Sequence, residues 1–460
     1  DILFKAYLFQ LCATSARHGQ KQMFCYYGSE SQYRQYPGRF MPSNIDVSLC
    51  THIIFAFVNV EDNQLVPQNW NDLGNQGLYA QVVALKTRNP SLKVLLAVGG
   101  WVAGYEPFYN ANAVTYIRAA RMDGLDMDWE FPGSRGSPPE DKYQFTKLMK
   151  TIYYTFDKEA RESKRERLLL TLATAVGTFY ISTAYESTEI HKYVDYMLLM
   201  TYNFHGGWDN QTAHHSTIFP SKFDEGISQR LCQTWAVNYW LSAGVPKSKI
   251  ILGMTTYGMS FTLDDARVNG LNASSTGGGD GGRYTRQEGT LAYYEICENI
   301  QRYSWSRVWV QEQDVPYATW SNQWVGYDDV TSLKIKADLL INGMGLGGAF
   351  VWSLELDDFN GYCGTGNYPL LRTINDVIRP RSGLQPRRIP RDEIPLPRPQ
   401  FQSRTCQELG AGTHADPRNC RWWIDCVRTY DGFIQYTRRC SSGLAYDDNI
   451  KTCALSSFCA

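Results

Sequence analysis

Eight short apolar runs separated by helical stretches, one over-long gap between the last two runs, and a cluster of cysteines at the C-terminus predict an α/β fold. The architecture expected is a (β/α)8 TIM barrel with a small inserted α+β subdomain, followed by a small disulfide-rich module. The strand-like runs lie at 23–27, 51–60 (THIIFAFVNV), 93–99 (KVLLAVG), 124–128, 168–176 (LLLTLATAV), 194–202 (VDYMLLMTY), 249–257 (KIILGMTTY) and 346–354 (LGGAFVWSL). Several are apolar on both faces, as strands are when helices cover a barrel and layers of side chains fill it. Helical patterns fit the gaps, for example 142–162 and 226–243.

The gap from 257 to 347 has room for more than one strand–helix unit. Tyr317, Trp320 and the stretch 324–327 alternate like a small antiparallel sheet, so 258–345 is read as the insertion, walling one side of a cleft. The glycine-rich stretch 277–283 is read as a loop; it lacks both the GxGxxG order and a phosphate-binding lysine.

The densest chemistry lies in Asp123-Gly-Leu-Asp126-Met-Asp128-Trp-Glu130. Asp126, Asp128 and Glu130 are spaced by two, so on an extended segment they share one face while Leu125, Met127 and Trp129 share the other. An acidic surface turn has no use for three large apolar partners. Carboxyls crowded on one face repel, which pushes at least one toward its protonated form near neutral pH, the state a general acid needs. Pro132 and Gly133 end the run.

A net charge of -1 favours neither nucleic acid nor a membrane surface as partner. The supply of aromatics (13 Trp, 30 Tyr, 20 Phe) suits flat, apolar-faced substrates such as sugar rings. Six of the twelve cysteines fall in the last 55 residues: Cys406, Cys420, Cys426, Cys440, Cys453 and Cys459. That density reads as a three-disulfide module in an oxidising compartment, with connectivity open. Zinc is disfavoured, since no Cys-x-x-Cys pair occurs there and only His414 is nearby. No metal site and no cofactor are expected. Residues 1–20 read as the remnant of a signal peptide, and no stretch approaches a membrane span. The barrel is expected over 21–378. Six prolines and seven arginines make 379–404 an extended linker to the module at 405–460.

Several motifs together resemble the chitinases of glycoside hydrolase family 18, in the animal acidic and macrophage-type group. They are Phe24-Cys-Tyr26-Tyr, Arg39-Phe-Met-Pro, Cys50-Thr-His, Gly99-Gly-Trp101, the acidic octet with Phe131-Pro-Gly, Met200-Thr-Tyr202-Asn203-Phe-His-Gly, Ala292-Tyr-Tyr-Glu-Ile-Cys297, and Val351-Trp352 with Leu356-Asp-Asp-Phe. The tail spacing, with 13, 5, 13, 12 and 5 residues between cysteines, resembles a peritrophin-type chitin-binding domain. The resemblance implies a secreted, monomeric, endo-acting chitinase whose partners are chitin and chitooligosaccharides. It implies that Glu130 is the acid and then the base, with no carboxylate nucleophile. The substrate's own acetamido oxygen attacks the anomeric carbon, giving an oxazolinium ion and retention. Asp128 would hold the acetamido N–H, Asp126 would support Asp128, and Tyr202 would bond the acetamido oxygen. Asp123, outside the two-residue phase, would be structural. Trp352 would floor the reacting sugar, Trp101 would stack at a neighbouring subsite, and Tyr257 would wall the cleft. Tyr26, Phe57 and Asn203 complete the substrate-binding set, and Trp422 and Trp423 would stack on chitin in the tail. The resemblance also implies a cis peptide at Ala56–Phe57 and disulfides Cys25–Cys50 and Cys297–Cys363, leaving Cys12 and Cys232 unpaired.

Three departures from the family stand out. Asn203 replaces the usual Asp, removing a negative charge beside a cationic intermediate, so a slower enzyme or a shifted pH optimum is expected. Glu30 stands where a stacking Trp is usual, at a distal non-reducing-side subsite. Finally, only 21 residues (102–122) separate Trp101 from Asp123, fewer than in relatives. A crossover needs about ten to twelve, so the barrel can close, with a short helix expected at 114–121 that covers its strands poorly. Either the chain tolerates that helix or the sequence reflects a skipped exon. A catalytically weak or inactive chitin-binding lectin of the same family is the competing function, but such proteins typically lose the acid corresponding to Glu130. The triplets at Asn210 and Asn272 are candidate glycosylation sites.

Overall fold

The structure is a computed structural model that describes residues 21–62, 64–103 and 113–380, and the backbone of five short strands between 412 and 455. The expected leader, most of the linker, Cys12 and the side chains of the tail lie outside the described residues. The chain divides into two compact units, 1–386 and 387–460.

In the first unit the strands are β1 (Gln22–Gly28), β2 (His52–Glu61), β3 (Gln64–Pro67), β4 (Lys93–Gly99), β5 (Gly124–Asp128), β6 (Leu169–Thr174), β7 (Tyr196–Leu199) and β8 (Ile250–Thr255). There follow β9 (Tyr257–Leu263), β10 (Ser275–Gly278), β11 (Thr290–Ala292), β12 (Ser306–Val310), β13 (Val315–Trp320), β14 (Gln323–Tyr327) and β15 (Gly348–Trp352). Eight of them, β1, β2, β4, β5, β6, β7, β8 and β15, pair in parallel in that order, and β15 returns to β1, closing the barrel. β3 adds antiparallel to the outer end of β2. An inner core of Phe24, Tyr26, Ile54, Leu95, Leu198, Ile251 and Phe350 fills the barrel, and a larger core lies between strands and helices. The two-sided burial is why these runs read as apolar throughout.

The insertion is a second, antiparallel sheet ordered β10-β9-β14-β13-β12, with β11 also paired to β9 and helix Tyr293–Arg302 against it. Three expectations are corrected here. The seventh barrel strand stops at Thr255, and Tyr257 opens β9 of the insertion rather than closing the barrel strand. Part of the glycine-rich stretch is β10, paired with Phe261–Leu263, so it is not wholly a loop. The helix expected at 226–243 begins only at Gln233, because Cys232 is extended and Leu231 is not helical.

β4 and β5 pair in parallel across the short crossover, of which residues 104–112 lie outside the described residues. Helix Ala113–Ala119 has seven residues and buries Ala113 and Ile117, four apart on one face. Arg118 donates to both carboxylate oxygens of Glu159, at 3.0 and 2.5 Å, and to the carbonyl of Glu166 at 2.8 Å. That fork clamps the short helix to its long neighbour, Asp141–Ser163. The poor cover expected is thus offset by the longer helix, whose Phe145, Met149, Ile152 and Phe156 line its buried face. β4 and β5 remain paired from Leu95–Gly124 to Gly99–Asp128.

In the second unit, β16 (Gly412–Ala415), β17 (Trp422–Thr429) and β18 (Gly432–Arg439) form an antiparallel sheet, and β19 (Leu444–Asp447) pairs with β20 (Thr452–Leu455). Trp422 and Trp423 lie in β17, opposite Arg439 and Arg438.

Candidate active site

Every barrel strand delivers its C-terminal end to one rim, and β5 brings Asp126 and Asp128 inward toward it. Leu125, Met127 and Trp129 face the helical layer, where Trp129 meets Phe145 edge-on at 5.5 Å. The alternation therefore sorts acids from apolar residues across the sheet. Gly99 (φ +114°) lets the end of β4 pass against β5: a Cβ there would sit 2.2 Å from the Asp128 carbonyl oxygen. Gly100 N donates to the same carbonyl at 2.7 Å.

The three acids differ in surroundings. Asp126 is fully buried and accepts from Tyr26 Oη at 2.6 Å and Thr171 Oγ1 at 2.5 Å. Burial raises its carboxyl to about 6, and those two donors restrain the rise. Asp128 is also buried, and its Oδ1 has no hydrogen-bond partner. Desolvation, then the charges of Glu130 and Asp126, push it well above the usual range. Glu130, just beyond the strand, is raised by burial to about 7, against the opposing pull of Arg135. Arg135 Nη1 donates to the carbonyls of Glu130 (2.8 Å) and Trp101 (3.0 Å), and its guanidinium lies 3.5 Å from the centre of the Trp101 indole. Asp123 sits apart from this group. It accepts from Val94 N at 2.6 Å and pairs with Lys86 at 2.5 Å, pinning the start of β5 to β4.

Aromatics frame the acids. Trp352 ends β15 with its ring 5.1 Å from Tyr26 and stacked on Phe57 at 5.8 Å. Tyr202 meets Phe350 and Tyr257 edge-on at 5.9 and 6.3 Å, and burial, then Tyr257 and the carboxyls of Asp128, Glu130 and Asp126, raise its hydroxyl pKa. Asn203 adopts φ +54°, and its Oδ1 accepts from Tyr257 Oη at 2.6 Å, so that oxygen is already engaged. Trp101 is 54 % exposed at the rim. Peptide bonds Ala56–Phe57, Glu130–Phe131 and Trp352–Ser353 are cis.

Cys25 is bonded to Cys50 and Cys297 to Cys363, while Cys232 is buried and free. No group among the described residues is arranged to hold a metal, and none of their helices is long and apolar enough to cross a membrane. Sequence reasoning missed Thr171, one of two threonines inside an apolar run, and Arg135, whose place over Trp101 depends on two loops meeting. It also missed the fully buried pair Lys336–Asp328 (2.6 Å), which joins the end of helix Val330–Lys336 to the residue that follows β14. An inward Thr opposite Asp126 in the next strand was the one readable signal among these.

The sequence model for Glycosyl hydrolases family 18 matches residues 22–357. The chain belongs to that family. Within this family 18 chain, residues 406–458 match the Chitin binding Peritrophin-A domain. Mouse Chitotriosidase-1 is 39% identical over 457 residues, covering 95% of each chain. Among solved structures, the Ostrinia furnacalis Group IV chitinase in complex with allosamidin shares 37% identity at a TM-score of 0.73, covering 78% of this chain and 98% of that one. Human YKL-39, described as a pseudo-chitinase with retained chitooligosaccharide binding properties, shares 35% at the same TM-score of 0.73, covering 78% and 99%. Family 18 scaffolds of this shape thus include both chitinases and a pseudo-chitinase.

Proposed function

We propose that the chain is a secreted, endo-acting chitinase cleaving β-1,4-linked N-acetylglucosamine polymers with retention, its tail holding it on solid chitin. The observation that carries the reading is Glu130 at the rim with its carboxyl raised to about 7, which keeps it protonated in mildly acidic solution. Glu130 gives its proton to the glycosidic oxygen as the bond to the anomeric carbon breaks. The acetamido oxygen forms the new bond to that carbon, closing an oxazolinium ion. Glu130, now a carboxylate, takes a proton from the water that reopens the ring. The orphaned Asp128 Oδ1 offers an acceptor for the acetamido N–H, and Tyr202 offers a hydroxyl to the acetamido oxygen. Asp126, held by Tyr26 and Thr171, positions Asp128 from the barrel interior. Two disulfides fit an oxidising, extracellular setting.

The likeness to a pseudo-chitinase favours a second reading, a chitin-binding lectin. Hydrolysis of a fully acetylated chitooligosaccharide by the purified chain, beside Glu130→Gln, separates them. The chitinase turns over and the variant does not; equal, negligible turnover with binding intact leaves the lectin.

A further inference from the structure

Glu30 lies on the turn Ser29–Tyr33 that follows β1 directly, so it stands on the same rim as Glu130 and Trp352. Its Oε1 accepts from Gln68 Nε2 at 3.2 Å, and Gln68 Oε1 accepts from the backbone N–H of Phe57 at 3.0 Å. Phe57 in turn stacks on Trp352. A single amide therefore connects an exposed carboxylate to the aromatic wall of the cleft. Among the described residues no cation pairs with Glu30, and the buried Asp72 beneath the same loop, accepting from Asn69 N at 2.7 Å, adds a second carboxyl. Two residues past Gln68, Trp70 is 87 % exposed and presents a flat face; Tyr33, three residues from Glu30, bonds Asn69 through its hydroxyl at 3.1 Å.

An N-acetylated sugar here would meet a solvated carboxylate that has no cation beside it among the described residues. A glucosamine unit carries an ammonium, which pairs with the carboxylate and is attracted to an indole face. We propose that Glu30 is a specificity-determining residue that favours glucosamine at this end of the cleft, making partially deacetylated chitin the preferred polymer. This rests on the cleft being a chitooligosaccharide site.

The test is calorimetric titration of the full chain carrying Glu130→Gln, with and without Glu30→Gln, using a fully acetylated hexamer and a partially deacetylated one. The tail is common to all four titrations. With Glu30 present, the partially deacetylated hexamer should bind about two- to five-fold more tightly than the acetylated one, the range of an exposed ion pair. Glu30→Gln should abolish that preference, and so should salt at about 0.5 M. The same ratio of affinities in both chains, or no binding of either hexamer, overturns the inference. Turnover of the acetylated hexamer by the chain with Glu130 intact is scored separately: no turnover with a Glu30-dependent preference would sink the chitinase and spare the role of Glu30.

Discussion

Glu130 carries two consequences, one for turnover and one for folding, and both weaken as pH rises through about 7. As a general acid it must be protonated, so turnover should fall as pH rises through about 7, the value to which burial raises it. A pH–rate profile that instead rises across that range would remove Glu130 from the acid's role. For folding, its native pKa lies above the ordinary 4.5, so the native state gains from its proton fully below about 4.5 and loses that gain as pH climbs through about 7. Glu130→Gln should therefore be the more stable protein at pH 8, by roughly 3 kcal/mol, with the advantage vanishing near pH 4. Urea melts at both values measure it. The alternation of acids and apolar residues in the octet was legible because a strand's period of two is a covalent fact. That Asp128 Oδ1 lacks a partner was not legible, because it depends on which side chains the neighbouring strands send inward.

At the scale of elements, the vulnerable join is the one delivering β5. Helix Ala113–Ala119 has only two turns, too short to stand without packing. Ile117 is its fully buried anchor, and Ile117→Ala should cost about 2–4 kcal/mol. Turnover should drop with it if the slackened crossover lets β5 shift against β4; urea midpoints and kcat together report both effects. The short crossover length was plain in the sequence, and so was the need for a brief helix. The compensating clamp from Arg118 to Glu159 was not, since the two residues are 41 positions apart and meet only when the barrel closes. Tyr257 shows the same limit: its apolar run continued past Thr255, yet the chain changes sheets there.

Across the whole molecule, the barrel unit and the tail can be tested by removing one. Truncation after Pro386 should lower the fraction bound to insoluble chitin by about tenfold or more, as tethering is lost. Soluble hexamer turnover should persist, since Asp126, Asp128 and Glu130 all lie in the first unit. Unchanged partition onto chitin would mean that the cleft suffices. The cysteine spacing made the tail readable from sequence, because motif spacing is a local property of the chain that does not depend on a large core.

The sequence was enough for the fold class, the family resemblance and the acid octet, since strand periodicity and motif spacing are local properties of the chain. Tertiary structure was needed to rank the three acids, because burial and donors from β1 and β6 separate Asp126 from Asp128 and Glu130. It was needed again to connect Glu30 through Gln68 to the cleft, a contact between loops far apart in the chain. Desolvation and hydrogen bonding depend on what surrounds a group in space, and sequence neighbours supply only part of that surrounding.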